Sequence, residues 1–230
     1  MVQDLINFFF PKVCVNCGLY FNTYLCNDCR AKLQTYLPES YLTRNISPQW
    51  SIESELKSQT ALEKVFYFYK YDALIHKLII KYKYGFAFEL SGIIAELILN
   101  SNEYNQICDR FDVITYAPSS KQRLNWRGFN HTKRIAEQIA TSLNIPYCET
   151  IVKVRNTKAQ IELKREKRLE NLTNSIVIQE NLPIDLSNKN ILIIDDILTT
   201  GATLEECALA IKLKYPDCKV FGMCLARGEG

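Results

Sequence analysis

The sequence predicts an α/β fold, a mostly parallel sheet with helices on both faces, preceded by a small N-terminal four-cysteine module. Ile191–Ile194 is a continuous apolar run, as expected of a strand buried on both faces. From Val65 to Ala226, strand-like and helix-like apolar patterns alternate, which implies crossover helices on either side of a parallel sheet. Two Cys-x-x-Cys pairs stand ahead of that alternation. With 230 residues, 47% of them hydrophobic, the chain is long enough for one well-buried domain plus a module that needs separate support.

The expected organisation is a zinc-binding module over 1–36, a linker over 37–62 and the α/β domain over 63–230. In the first, Cys14, Cys17, Cys26 and Cys29 form two pairs separated by eight residues, a spacing that lets four thiolates converge on one tetrahedral Zn²⁺. Four thiolates leave no open coordination position, so the expected role is structural. Thiol exchange is the competing reading of Cys-x-x-Cys, but no thioredoxin-like βαβ pattern surrounds these residues. Gly18 is expected to ease a turn that aims backbone N–H groups at sulfur. The other five cysteines are scattered through apolar context and read as buried free thiols.

In the third region, Val65–Tyr71 reads as a strand, and Leu74, Ile75, Leu78, Ile79 and Tyr82 then recur at helical spacing. A second helical pattern runs through Leu90, Ile93, Ile94, Leu97 and Ile98. Asp112–Ala117 is a strand that ends at Pro118, and after a polar stretch Ile135, Ile139 and Leu143 mark a helix face. Leu204, Ala208, Ile211 and Tyr215 define the helix after Ile191–Ile194, and Lys219–Ala226 returns as a strand. No apolar run reaches the roughly 18 residues of a membrane span, and Leu5–Phe10 is short and follows Asp4 rather than a basic segment. The expectation is a cytoplasmic protein.

The chemistry concentrates in Ile191–Thr203. A buried strand delivers Asp195 and Asp196, and a small-residue turn, Thr199, Thr200, Gly201 and Thr203, follows at the mouth of a helix. Such a turn aims backbone N–H groups at a phosphate, helped by the positive end of the helix. Two acids would repel a phosphate, so they suit the vicinal hydroxyls of a ribose, with Mg²⁺ nearby. An ordinary strand–helix connection rich in capping residues is the plainer alternative. All thirteen positions match the phosphoribosyl-pyrophosphate motif, so the segment resembles that of type I phosphoribosyltransferases.

The net charge of +3 conceals an asymmetry: residues 121–170 carry twelve Lys or Arg against five Glu, a local +7, leaving −4 for the rest. That points to an anionic partner, either ligand phosphates or a nucleic-acid backbone, unless it is simply a solvated basic face. Lys121, Arg123, Arg127, Lys133 and Arg134 are interleaved with Trp126 and Phe129, a composition suited to a single nucleic-acid strand, although both aromatics also fit a core. Lys164, Arg165, Lys167 and Arg168 form a second basic run. His76 and His131 have no carboxylate or nucleophile at a diagnostic spacing and read as core or surface residues.

The order of the cysteine knuckle, Arg127-Gly128-Phe129-Asn130, Arg155, Thr157 and Gln160 followed by Arg168 and Asn171, and the terminal loop resembles the ComF family of competence proteins over nearly the whole chain. The resemblance implies a type I phosphoribosyltransferase-like domain and a part in natural transformation, with single-stranded DNA and phosphoribosyl pyrophosphate as partners. It also implies that Ser119 and Ser120 lie on the pyrophosphate side of the ligand. The sequence departs there, reading Tyr116-Ala117-Pro118 where many relatives have a Val-Pro turn. Two further readings stay open: transfer of the phosphoribosyl group to an unidentified nitrogen acceptor, and a sensor that adjusts affinity for a DNA-translocating helicase of the same pathway.

Overall fold

The strand expected at Ile191–Ile194 is the middle of β5, Asn190–Leu198, and lies between two parallel neighbours. The computed structural model describes residues 12–33, 60–101, 111–154 and 175–228. The basic run Lys164–Arg168, Arg155–Gln160, Asn171 and residues 37–59 of the expected linker lie outside these. Four strands form the main sheet: β1 (Leu62–Lys70), β2 (Val113–Tyr116), β5 and β6 (Lys219–Arg227), in the order β1-β6-β5-β2 and all parallel. Leu62, the last residue of the expected linker, already pairs with Val220.

Alternation along each strand divides the core in two. Phe66, Phe68, Ile114, Leu192, Ile194, Met223 and Leu225 join one cluster; Val65, Tyr67, Val113, Ile191, Ile193, Val220 and Cys224 join the other. The first is covered by α2 (Ala73–Tyr84), α3 (Leu90–Leu99) and α5 (His131–Leu143), which follow α1 (Asn27–Arg30) and, for α5, the short α4 (Lys121–Arg127). The second is covered by α6 (Ala202–Lys214) and a small antiparallel pair, β3 (Ile151–Lys153) and β4 (Ile176–Ile178). Helices on both faces of a parallel sheet are as the alternating pattern predicts.

Local chemistry sets the helix limits. Asp72 caps α2 by accepting from the N–H groups of Leu74 and Ile75, both at 2.9 Å. The polar stretch after Pro118 is the helix α4, which sequence periodicity misses. Ser120 caps its start by accepting from Arg123 N, and Gly128 ends it in a left-handed conformation. Among the described residues no helix is long and apolar enough to cross a membrane.

The cysteine segment packs onto the first core. Cys14, Leu25, Cys26 and Cys29 belong to the same cluster as the buried faces of α2 and α3. Arg30 makes a two-pronged ion pair with Glu96 of α3 at 2.8 and 2.9 Å, and Lys12 pairs with Glu89.

At Gly222 in β6, a methyl group would meet Leu204 of α6 at 2.8 Å and Val65 of β1 at 3.2 Å. Gly222→Ala is therefore expected to reduce stability by about 1–3 kcal/mol through overpacking, as measured by urea unfolding. A variant as stable as the wild type contradicts this close approach of helix and sheet.

Candidate functional site

Parallel pairing brings two loops to one edge of the sheet. Tyr116 is in register with Ile194, and Ala117 N donates to Ile194 O at 2.9 Å, so Pro118–Ser120 and the end of β5 lie side by side at the carboxyl ends of neighbouring strands. That edge is where open α/β sheets hold ligands. Thr199 and Thr200 are exposed, and Gly201, with φ +77°, turns the chain into α6 in a conformation that side chains disfavour. Thr200 Oγ1 accepts from Ala202 N at 3.4 Å, and Thr203 is exposed on the first turn. The acid of that turn, Glu205, is engaged elsewhere, accepting from Ala61 N at 2.6 Å.

Ser119 and Ser120 are half-buried; Ser119 Oγ contacts Asn130 Oδ1 at 3.4 Å, and Ser120 caps α4. Asn130 Oδ1 also accepts from Thr132 Oγ1 at 2.7 Å, and Thr132 Oγ1 lies 2.7 Å from the Ala117 carbonyl. These contacts tie the start of α5 to the loop after β2.

Because the pleat alternates, the adjacent acids face different surroundings. Asp196 falls on the side of Leu192 and Ile194, where it is buried, forms an ion pair with Lys83 at the end of α2, and lies 3.7 Å from His131 Nε2. Burial opposes its charge, but His131 and Lys83 outweigh that and hold its carboxyl below the usual range. Asp195 is half-buried and accepts from Asp196 N at 2.8 Å; burial first, then the Asp196 charge, pushes its carboxyl well above the usual range. The two adjacent carboxyls are thus pushed in opposite directions by their surroundings.

Sequence spacing missed Lys83 and His131, which meet Asp196 only in three dimensions. Burial lowers the His131 pKa, and Arg127 Nη1 lies 3.1 Å from its Nδ1. A guanidinium only donates, so Nδ1 accepts and the neutral ring carries its proton on Nε2, toward Asp196. Arg127 itself is 6% exposed, donates through Nη2 to Tyr84 Oη at 2.9 Å, and its Nε has no partner among the described residues.

The remaining predicted cations divide. Lys121 and Arg123 are exposed on α4. Lys133 pairs with Glu149, and Arg134 lies over the rings of Phe88 and Phe129 at 4.9 and 5.7 Å. The two aromatics separate as well: Trp126 is 71% exposed, whereas Phe129 is 8% exposed and belongs to the core. Trp126 packs against Tyr84 with ring centroids 5.0 Å apart, and Phe86 and Phe88 are exposed after the same helix α2.

In the cysteine segment, all four Sγ atoms lie within 4.8 Å of one another, and Cys17 Sγ is 4.0 Å from Cys26 Sγ. Tetrahedral Zn²⁺ with Zn–S near 2.3 Å requires S–S separations of about 3.8 Å, so the group fits a metal ion with little adjustment. Although burial opposes it, backbone N–H groups of Cys26, Cys17 and Asn16 bring the Cys14 thiol down to about 6, and Asn16 Nδ2 donates to Cys29 Sγ at 3.4 Å. Gly18, with φ +74°, eases the turn that aims the backbone N–H groups of Asn16 and Cys17 at the Cys14 sulfur, and its own N donates to the Cys14 carbonyl. Among the described residues no other cluster of three or more such ligands exists.

A phosphoribosyl transferase domain matches residues 133–228. Competence protein F of Haemophilus influenzae is 33% identical over 104 residues, 44% of this chain and 44% of its own length. Competence protein ComFC of Bacillus subtilis is 31% identical over 119 residues, 52% of this chain and 46% of its own. DNA utilization protein YhgH of Salmonella typhimurium is 28% identical over 157 residues, 67% of this chain and 66% of its own. The chain is thus similar to competence and DNA utilization proteins over part of their length. Its matches span from about half to just under two thirds of the length of these relatives. Among solved structures, phosphoribosylpyrophosphate synthetase from Mycobacterium smegmatis superposes with a TM-score of 0.35 at 17% identity, over 60% of this chain and 33% of that one.

In this chain the adjacent acids are expected to respond oppositely to amidation. A carboxyl with a raised folded pKa contributes stability below its ordinary value of 3.8 and loses it as pH rises through the raised one. Asp195→Asn therefore leaves stability at pH 7 unchanged or higher. Asp196 has a depressed value, so its contribution persists at neutral pH and disappears only in strong acid. Asp196→Asn leaves Lys83 without its counter-charge and is expected to cost about 3 kcal/mol at pH 7 in denaturant titrations. Equal losses for the two variants contradict this division of charge.

Proposed function

We propose that this chain binds phosphoribosyl pyrophosphate at the carboxyl edge of β5 and single-stranded DNA beside it, in a ComFC-like role in cytoplasmic DNA handling during natural transformation. The observation that carries the reading is the turn Thr199–Thr203. It joins a buried parallel strand to the N-terminus of a 13-residue helix, with Gly201 left-handed and three threonines exposed. Backbone N–H groups of this turn suit a phosphate, and Asp195 and Asp196 suit ribose hydroxyls. Ser119 and Ser120 then take the pyrophosphate side, and Mg²⁺ would be held chiefly by the ligand's own phosphates.

Support for the DNA partner comes from the exposed aromatics Tyr84, Phe86 and Trp126 near Lys121, Arg123 and Arg134. Bases stack on such rings while cations track the backbone. Relatives named for competence and DNA utilization suit the same role. Lys164, Arg165, Lys167 and Arg168 are proposed as a second contact. The four cysteines are assigned a structural Zn²⁺, and the purified protein is expected to hold about one zinc per chain, lost together with folding of 12–33 on chelation. A metal-free protein with this segment folded overturns that assignment.

Fluorescence anisotropy with a labelled single strand across a salt series tests the DNA reading. Affinity should fall steeply with salt, and Trp126→Ala should weaken it by roughly tenfold, corresponding to about 1–3 kcal/mol per stacked base. No binding at low salt by folded, zinc-loaded protein would rule it out. Pyrophosphate release in the presence of nitrogen acceptors distinguishes transfer from binding alone.

A further inference from the structure

We infer that Lys83 is a ligand-reading residue: it neutralises Asp196 in the free protein and passes to the diphosphate end of phosphoribosyl pyrophosphate when the ribose hydroxyls engage Asp196. The inference rests on the proposed ligand and adds a residue that neither the motif nor spacing in the sequence identifies.

Three observations lead to it. First, Lys83 and Asp196 form a close ion pair at the carboxyl edge of the sheet, with the lysine side chain 17% exposed and the aspartate 9%. A buried carboxylate that must accept ribose hydroxyls cannot keep this lysine as its main partner once ligand is bound. A freed ammonium in such a place needs another anion. Second, Asp196 lies on the α2/α5 face of the sheet, whereas the Thr199–Thr203 turn opens α6, which covers the other face. A ribose lying across the strand end thus presents one phosphate to the turn and its other anionic end toward Lys83. Third, positive charge is already gathered on that side. Arg127 is more than nine-tenths buried, contacts the neutral His131, and has an Nε without a partner among the described residues.

The exchange also suits the side chain. Lys83 stands in the last turn of α2, one residue before the helix ends at Tyr84, and a lysine ammonium on its flexible stem can change partners by rotation alone. Ribose 5-phosphate has the hydroxyls and the phosphate for the turn but lacks the diphosphate. It therefore isolates the contact in question.

The experiment is calorimetric titration of the zinc-loaded full chain with phosphoribosyl pyrophosphate, ribose 5-phosphate and pyrophosphate, comparing wild type with Lys83→Met and Lys83→Gln. The glutamine keeps a donor for Asp196 and serves if the methionine variant does not fold. The expected result is at least a tenfold loss of affinity for phosphoribosyl pyrophosphate with less than a twofold change for ribose 5-phosphate. Equal losses for both ligands would reduce Lys83 to a support for Asp196, and no loss for either would remove it from the site; each overturns the inference while leaving the ligand in place. A wild-type protein that binds neither sugar phosphate overturns both the inference and the proposed ligand.

Discussion

The hydrogen bonding of β5 on both edges is the constraint on which the rest of the structure depends. With β2 on one side and β6 on the other, the strand cannot rotate or slip, because a one-residue shift would exchange its two apolar faces. Ile191 to Ile194 are all fully buried, alternately in the two cores, each worth about 1.5–3 kcal/mol. The same register runs on into Asp195 and Asp196. Two adjacent acids are therefore delivered to opposite faces by apolar burial several residues earlier, and the opposite directions of their pKa shifts follow from where the pleat leaves them.

Electrostatic consequences spread outward from Asp196. Its charge is held by Lys83 and His131; His131 is fixed in one tautomer by Arg127; Arg127 reaches Tyr84, whose ring packs against Trp126 at the surface. This chain of contacts joins the sheet edge to the exposed aromatics through side chains in direct contact. Both partners of the ionised acid come from the α2/α5 side, so the position of α2 relative to the sheet sets the charge at the ligand edge.

Much of this was legible in the sequence where the signal is local. The apolar run Ile191–Ile194 and the Thr-Thr-Gly turn announce a buried strand and a helix start, and the structure has them in that arrangement. The cysteine spacing likewise announces a cluster, and the four sulfurs converge. Where the signal is weak, reading fails: β3 and β4 are three residues long, too short for alternation to register. Helix α4 is short and polar, although Ser120 and Gly128 mark its ends by capping chemistry. Lys83 and His131 were invisible for a different reason. Their partner is distant in sequence, and a lysine or histidine on an amphipathic helix carries no local mark of what it meets.

The cysteine segment bears on the same geometry. Residues 12–33 are too few to enclose a core of their own, and three of the four cysteines are buried in the cluster that α2 and α3 share. The convergence of the four sulfurs closes the segment on itself, while the ion pairs of Arg30 with Glu96 and of Lys12 with Glu89 fasten it to α3 and to the turn before it. Lys77 of α2 reaches Asn16 at 3.4 Å, and Asn16 also donates to Cys29 sulfur. The helix that touches the thiolate cluster near its middle carries Lys83 at its end. Ordering of the cysteine segment and placement of the lysine opposite Asp196 are thus linked through one helix.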